Sequence, residues 1–293
     1  MLARFLIITS LLFTLSGKAE IFHFTLVKGF IVTEARIEGK NVRLILDTGA
    51  PGLVLNQRYY TGEDMPKSED PCPSCNGING YFTCKNYAVK EWTWLGISHK
   101  RTGAIVSDLS FLESYLGQEI HALVGLSNLN GAYATIDFDN KSIDVQQQSS
   151  ASFSGPFSRY QYVNHIPVII CKINGQKKVL GLDSGSEGNL LFESISAGLV
   201  SETHPVKVVD AGNNENLRHR VTMQLEVSGA DISNTEEFLV ALSGDDTYQN
   251  PLLDGILGQD FLSRFKIIIQ PGKQKILLIP RLEEPTLAEV VMP

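Results

Sequence analysis

The chain is written twice. Residues 31–56, IVTEARIEGKNVRLILDTGAPGLVLN, match residues 167–192, PVIICKINGQKKVLGLDSGSEGNLLF, under a shift of 136 positions. The shift pairs Ile37 with Ile173, Gly39 with Gly175, Leu44 with Leu180 and Leu46 with Leu182. It also sets Asp47-Thr48-Gly49 on Asp183-Ser184-Gly185, and Gly52 on Gly188. A second match, residues 122–143 with 255–276, holds at a shift of 133 and pairs Gly125 with Gly258, Leu129 with Leu262, Ile136 with Ile269 and Ile143 with Ile276. Both matches keep their order within each half. This is an internal duplication, and it restricts the fold to two similar units.

The pattern inside each unit is that of strands. Leu44 to Leu46 and Val179 to Leu182 are short apolar runs, each preceded by a turn signal, Glu38-Gly39-Lys40 and Asn174-Gly175-Gln176. Sustained helical periodicity is scarce, and Phe111–Tyr115 and Phe261–Phe265 are the best candidates for short helices. The chain has 293 residues, near the size at which one core gives way to two. The polar stretch from Gln146 to Ser152 marks the junction. The expected architecture is all-β: two similar barrel lobes, residues 20–150 and 151–293, with a cleft between them.

Residues 1–19 read as a secretory signal. Arg4 supplies the positive charge, Phe5 to Leu15 the apolar run, and Gly17 and Ala19 the small residues of a cleavage site after Ala19. The run is short for a spanning helix, so no stable membrane anchor is expected after cleavage. Export, to a periplasm or outside the cell, follows as an expectation. Cys72, Cys75 and Cys84 cluster in a loop rich in turn residues, whereas Cys171 stands apart. A zinc site needs four ligands, and the only His nearby in sequence, His99, lies outside any paired-ligand spacing, so a disulfide that staples the loop is the expected use. No metal and no cofactor are expected. The formal net charge is −7 with no Lys/Arg run, a surface that repels phosphate backbones, so nucleic acid is excluded as a partner. The six His residues share no ligand or triad spacing and are expected at the surface or satisfied inside.

A carboxylate that ends an apolar strand is costly unless something uses it. Here the same arrangement occurs twice, with a hydroxyl residue and then a glycine after each Asp. Two such turns set face to face would hold two carboxyls around one water. Like charges that close share one proton. The ionised member then takes a proton from the water, and the protonated member gives one to a carbonyl oxygen.

In these residues the chain resembles the aspartic peptidases, the pepsin and retropepsin group. Leu44-Ile45-Leu46-Asp47-Thr48-Gly49-Ala50 and Val179-Leu180-Gly181-Leu182-Asp183-Ser184-Gly185-Ser186 carry the likeness, each followed by an apolar-apolar-Gly element, Leu123-Val124-Gly125 and Ile256-Leu257-Gly258. It covers roughly residues 30–145 and 160–280. The lobes are short and Ala50 is retroviral in style, which implies a fused, pseudo-dimeric retropepsin-like fold acting as a monomer on a peptide or protein substrate. The resemblance implies Asp47 and Asp183 as the catalytic pair of an aspartic endopeptidase. Thr48 and Ser184 would cross-link the two turns, Gly49 and Gly185 would permit them, and Ala50 and Ser186 would flank them. It further implies that Ser186 donates to the Asp183 carboxylate, a bond Ala50 cannot offer Asp47, so that Asp47 keeps the shared proton. Tyr81, in Asn76-Gly77-Ile78-Asn79-Gly80-Tyr81-Phe82, is the candidate for a flap residue, and Asp210 to Asn214 occupies the equivalent place in the second half. The competing reading is a non-catalytic peptide-binding or inhibitory protein on a pepsin-like fold.

Overall fold

The computed structural model describes residues 20–60, 75–77, 80–82, 84–146, 157–196, 198, 204–209, 213, 215–227, 232–243 and 252–281. The expected signal, residues 1–19, and most of the expected junction therefore lie outside the described residues. The first half runs through β1 (Glu20–His23), β2 (Thr25–Val27), β3 (Phe30–Ile37), β4 (Lys40–Leu46), β5 (Leu53–Asn56), β6 (Cys75–Gly77) and β7 (Gly80–Phe82). It continues with β8 (Lys85–Trp94), β9 (Ile97–Ser107), α1 (Ser110–Leu116), β10 (Ala122–Val124), β11 (Tyr133–Asp137) and β12 (Ser142–Gln146). The second half begins with β13 (Ser158–Arg159), β14 (Gln161–Val163), β15 (Ile166–Ile173), β16 (Gln176–Leu182), β17 (Leu190–Ile195) and β18 (Val206–Val209). It ends with β19 (Glu215–Val227), β20 (Ile232–Leu242), β21 (Gly255–Leu257), α2 (Gln259–Leu262), β22 (Phe265–Gln270) and β23 (Lys275–Pro280).

The duplication seen in the sequence is a duplication of topology. The first lobe has strand order β2-β3-β4-β10-β5-β9-β8 and closes on itself through β3–β8. The second has β14-β15-β16-β21-β17-β20-β19, closed through β15–β19, with β18 added at the edge. Both predicted turns form. Glu38 and Gly39 link β3 to β4 with φ of 47° and 82°, and Asn174 and Gly175 link β15 to β16 with φ of 49° and 80°. Two successive positive φ values suit the right-handed twist of a two-residue hairpin, and Asn-Gly is the pair that adopts them most readily.

A third sheet, β1-β12-β11-β22-β23-β13, joins the halves. Its central pairing is β11 with β22, which sets Ala134 opposite Ile269, Thr135 opposite Ile268 and Ile136 opposite Ile267. Thr135 and Ile268 are 133 positions apart, equivalent in the repeat, so an approximate two-fold axis passes between them. The alternating apolar faces of these strands pack into one core, which also takes in Leu44, Leu46, Leu180 and Leu182 from the two lobes. Both short helices form close to where their periodicity placed them, although Phe265 begins β22 instead of ending α2.

Candidate active site

Each Asp leaves a buried strand at the same point. β4 lies parallel to β10 and β16 parallel to β21, and the amides of Asp47 and Asp183 donate to the carbonyls of Val124 and Leu257, both at 3.0 Å. The chain then turns: the Ala50 amide donates to the Asp47 carbonyl at 3.0 Å, and the Ser186 amide to the Asp183 carbonyl at 3.1 Å. Inside each turn the carboxylate accepts the glycine amide, Gly49 to Asp47 Oδ1 at 2.8 Å and Gly185 to Asp183 Oδ1 at 2.9 Å.

The glycines are needed for a reason beyond turning. A Cβ on Gly49 would sit 2.6 Å from Asp183 Oδ1, and one on Gly185 would sit 2.4 Å from Asp47 Cγ. Each turn is thus pressed against the carboxyl of the other, and only a residue without a side chain allows the approach. The later glycines are held the same way. A Cβ on Gly125 would meet the Ala50 carbonyl oxygen at 2.2 Å, and one on Gly258 the Gly188 carbonyl oxygen at 2.3 Å.

Thr48 and Ser184 lock the turns together. Thr48 Oγ1 donates to the Leu182 carbonyl at 2.6 Å, and Ser184 Oγ donates to the Leu46 carbonyl at 2.8 Å. Each hydroxyl also accepts the other residue's amide, Ser184 N to Thr48 Oγ1 at 2.9 Å and Thr48 N to Ser184 Oγ at 3.0 Å. Both residues are buried, so the four bonds form a closed set that holds the carboxyls in register.

Burial is the main reason that both carboxyls titrate above the ordinary Asp range. Asp47 is raised well above it, and the neighbouring charge of Asp183 adds to the effect. Asp183 is raised too, but a hydrogen bond from Asp47 and the amides of Gly185 and Gly49 favour its ionised form. The pair therefore favours a state in which the two carboxyls hold one proton between them.

The hydrogen bond expected from Ser186 to Asp183 is not the one that forms. Ser186 Oγ donates to the Gly188 carbonyl at 2.9 Å, not to Asp183. The Asp183 carboxylate is served from the glycine side, which leaves the hydroxyl to brace the loop that leads into β17. Two further residues brace this loop that spacing did not single out. Asn189 Oδ1 accepts the Gly258 amide at 3.0 Å, and Gln259 Nε2 donates to the Ser184 carbonyl at 3.0 Å. Their first-half counterparts are Leu53 and Leu126, so the available signal was polarity appearing where the other repeat is apolar.

The dyad lies in a cleft of about 970 Å³ lined by both lobes. On the first-lobe side the wall includes Phe30, Ile45 and Leu123, part of a small apolar cluster capped by α1. On the second-lobe side it includes Leu190, Phe192 and Ile256 from an equivalent cluster. Glu113, buried on α1, anchors that helix by accepting from Tyr59 Oη at 2.5 Å, Arg58 Nη1 at 3.0 Å and the Ile120 amide at 3.1 Å. His165, in the turn between β14 and β15, also lines the cleft, and burial lowers its pKa. Spacing had not distinguished it from the other five. Among the described residues no group of three His, Cys, Asp or Glu side chains is arranged to hold a metal ion.

Tyr81 lies on a two-stranded hairpin, β6 with β7, in which it pairs with Asn76. The Tyr81 side chain lies outside the described residues, as do Asp210, Ala211, Gly212 and Asn214. Cys84 is buried and disulfide-bonded, and Cys171 is a buried free thiol.

No protein-family model matches the chain, and no curated protein does. Solved structures do. The chain is similar to an aspartic proteinase from Irpex lacteus, with a TM-score of 0.54 and 13% identity over 90% of this chain and 97% of that one. It is also similar to Basic 7S globulin from soybean, with a TM-score of 0.51 and 10% identity over 90% of this chain and 95% of that one. At such identities the likeness gives the fold, which is pepsin-like and two-lobed.

Proposed function

We propose that this protein is an aspartic endopeptidase whose catalytic pair is Asp47 and Asp183. The fold alone does not carry this, since Basic 7S globulin from soybean has it too. What supports it is the closed set of four bonds between Thr48, Ser184, Leu46 and Leu182, which holds a buried carboxyl, Asp183, and a half-buried one, Asp47, against each other in a cleft. Burying two acids together is unfavourable for stability, and hydrolysis is the use that accounts for it.

A water held between the carboxyls loses a proton to ionised Asp183 as its oxygen attacks the scissile carbonyl carbon. Asp47 gives its proton to the carbonyl oxygen, so the tetrahedral species is neutral and the pair has exchanged roles. Collapse returns the proton from the hydroxyl to Asp47 and sends the one on Asp183 to the departing amine. The C–N bond breaks, and one water is consumed. No metal or covalent intermediate is required.

The substrate is a peptide or protein, bound by a monomer. The leader and the cysteine usage support export, to a periplasm or outside the cell. Incubation with a peptide library, followed by mass spectrometry, tests the reading together with Asp47→Asn and Asp183→Asn. The expected result is cleavage by the parent and a loss of at least ~10²–10⁴-fold in each folded variant. Cleavage that persists in either variant overturns it, as does a folded parent that neither cleaves nor binds a statine-containing peptide.

A further inference from the structure

Each barrel sheet opens with a two-residue hairpin whose turn reaches across towards the active-site turn of the other lobe. In the first lobe Val27 pairs with Phe30, and the turn is Lys28-Gly29; in the second Val163 pairs with Ile166, and the turn is Asn164-His165. Gly29 and His165 are equivalent under the shift of 136 positions. A Cβ on Gly29 would lie 3.9 Å from Cβ of Gln259, the residue that braces the second active-site turn through the Ser184 carbonyl. The approximate two-fold axis sets His165 in the same way against the first active-site turn. Its imidazole lines the cleft and lies in hydrogen-bonding reach of the Gly49 carbonyl. The counterpart of Gln259 on that side is Leu126, which has no polar group to offer, so the two turns are braced from different positions.

We infer that His165 is a positioning residue for the dyad: from the second lobe its ring N–H donates to the Gly49 carbonyl and holds Gly49 against both carboxyls. This rests on the peptidase reading. Glycine has the widest choice of φ and ψ of any residue, so what fixes Gly49 is whatever grips its two peptides. On one side its amide donates to Asp47 Oδ1 at 2.8 Å, and that amide favours the ionised form of Asp47 and of Asp183 alike. On the other side the grip is His165. Burial lowers the titration of the ring itself, against a smaller rise from the Gly49 carbonyl. An imidazole keeps an N–H in either charge state, so the brace persists as the ring titrates.

The test compares the parent with His165→Phe, His165→Asn and His165→Gln on one peptide that the parent cleaves. Phe keeps a ring without the donor, while Asn and Gln place an amide N–H near the positions of Nδ1 and Nε2. In His165→Phe, kcat should fall by ~5–50-fold with KM changed less than ~2-fold. Both limbs of the pH–rate profile should move up by ~0.3–1 unit, because a loosened Gly49 amide favours the ionised carboxyls less. At least one of Asn and Gln should recover most of kcat and return the limbs. In the parent, a ring N–H of His165 should show a nuclear Overhauser contact with the Gly49 α-protons, a readout that needs no variant. Parent-like kcat in His165→Phe, a change confined to KM, or equal impairment in all three variants overturns the brace and leaves the peptidase reading standing. Should the variants not fold, absence of that contact in the parent does the same. A parent that neither cleaves nor binds a statine-containing peptide removes the peptidase reading, and this inference with it.

Discussion

The Tyr115 hydroxyl donates to the Glu187 carboxylate at 2.7 Å, and the bond crosses from one lobe to the other. Tyr115 belongs to α1, while Glu187 stands four residues after Asp183 in the second active-site turn. Both line the cleft, and the ammonium of Lys28 lies 4.1 Å from the centre of the tyrosine ring. Burial, with Glu187 beside it, raises the Tyr115 pKa to about 12, so the hydroxyl remains a donor throughout any working range. The bond fixes one wall of the cleft relative to the dyad without touching the dyad.

Tyr115→Phe removes that bond and keeps the ring. Because the pair is exposed, stability should fall by no more than ~1 kcal/mol. Positioning of substrate should suffer more, with KM rising about 2–10-fold and kcat nearly unchanged. Steady-state kinetics on one peptide decides it. A fall in kcat at constant KM would place Tyr115 in the chemistry instead.

Thr48 and Ser184 should behave as one unit. Thr48→Val leaves the Leu182 carbonyl and the Ser184 amide without their partner in a buried place, at a cost of ~1–3 kcal/mol. Ser184→Ala does the same to the Leu46 carbonyl and the Thr48 amide. Since each change already breaks the set, the double variant should cost less than the sum, by ~0.5–3 kcal/mol. Urea unfolding of the four proteins gives the coupling, and strict additivity would show that the bonds act independently.

The dyad should cost the fold stability wherever both acids must ionise. The folded pKa of Asp47 lies above its unfolded value, mainly because of burial. Its contribution is therefore complete below the ordinary Asp range and is lost as pH rises through the raised value. Asn cannot ionise. Asp47→Asn should melt higher than the parent at neutral pH, and the gap should close towards pH 3. Melting curves that run parallel at all pH values would mean that the carboxyl is not strained by its surroundings.

Burial also pushes the Cys171 thiol up to about 12. A thiol reagent should leave it unmodified in the folded protein and label it only after unfolding. Mass mapping of the same sample should find Cys84 joined to Cys72 or Cys75. Rapid labelling of Cys171 in the native state, or Cys171 within a bridge, would contradict the assignment.

What the sequence made legible was whatever the two halves share. The Asp-turn-Gly segments, the paired hairpin turns and the later glycines recur because both lobes meet the same steric demand at the axis. What it hid was the set of departures. Asn189 and Gln259 brace only the second turn, and their apolar counterparts Leu53 and Leu126 gave no reason to look for polar roles. β18 pairs with β19 at the edge of the second barrel sheet, whereas the hairpin at the equivalent place in the first half, β6 with β7, forms a separate two-stranded sheet. The Tyr115–Glu187 bond joins residues 72 positions apart on different lobes, a contact that no local pattern encodes.

Ser186 was the residue for which comparison of the repeats misled, and it supplies a test of how the dyad is tuned. Its hydroxyl was expected to lower the Asp183 pKa, yet it donates to the Gly188 carbonyl. Ser186→Ala should then cost ~0.5–1.5 kcal/mol of stability and move neither limb of the pH–rate profile. The reciprocal change makes the same point. Ala50 is the counterpart of Ser186 and Gly52 that of Gly188, so a hydroxyl in Ala50→Ser has the Gly52 carbonyl within its equivalent reach. That carbonyl already accepts the Gly125 amide at 2.8 Å and retains a second lone pair. This variant should also leave both limbs in place. The limbs belong to the coupled pair: the ascending one marks its first ionisation and the descending one loss of its last proton. If Ser186→Ala raises the ascending limb, or Ala50→Ser lowers the descending one, the hydroxyl does reach a carboxylate in solution, and tuning by burial and the glycine amides alone is wrong.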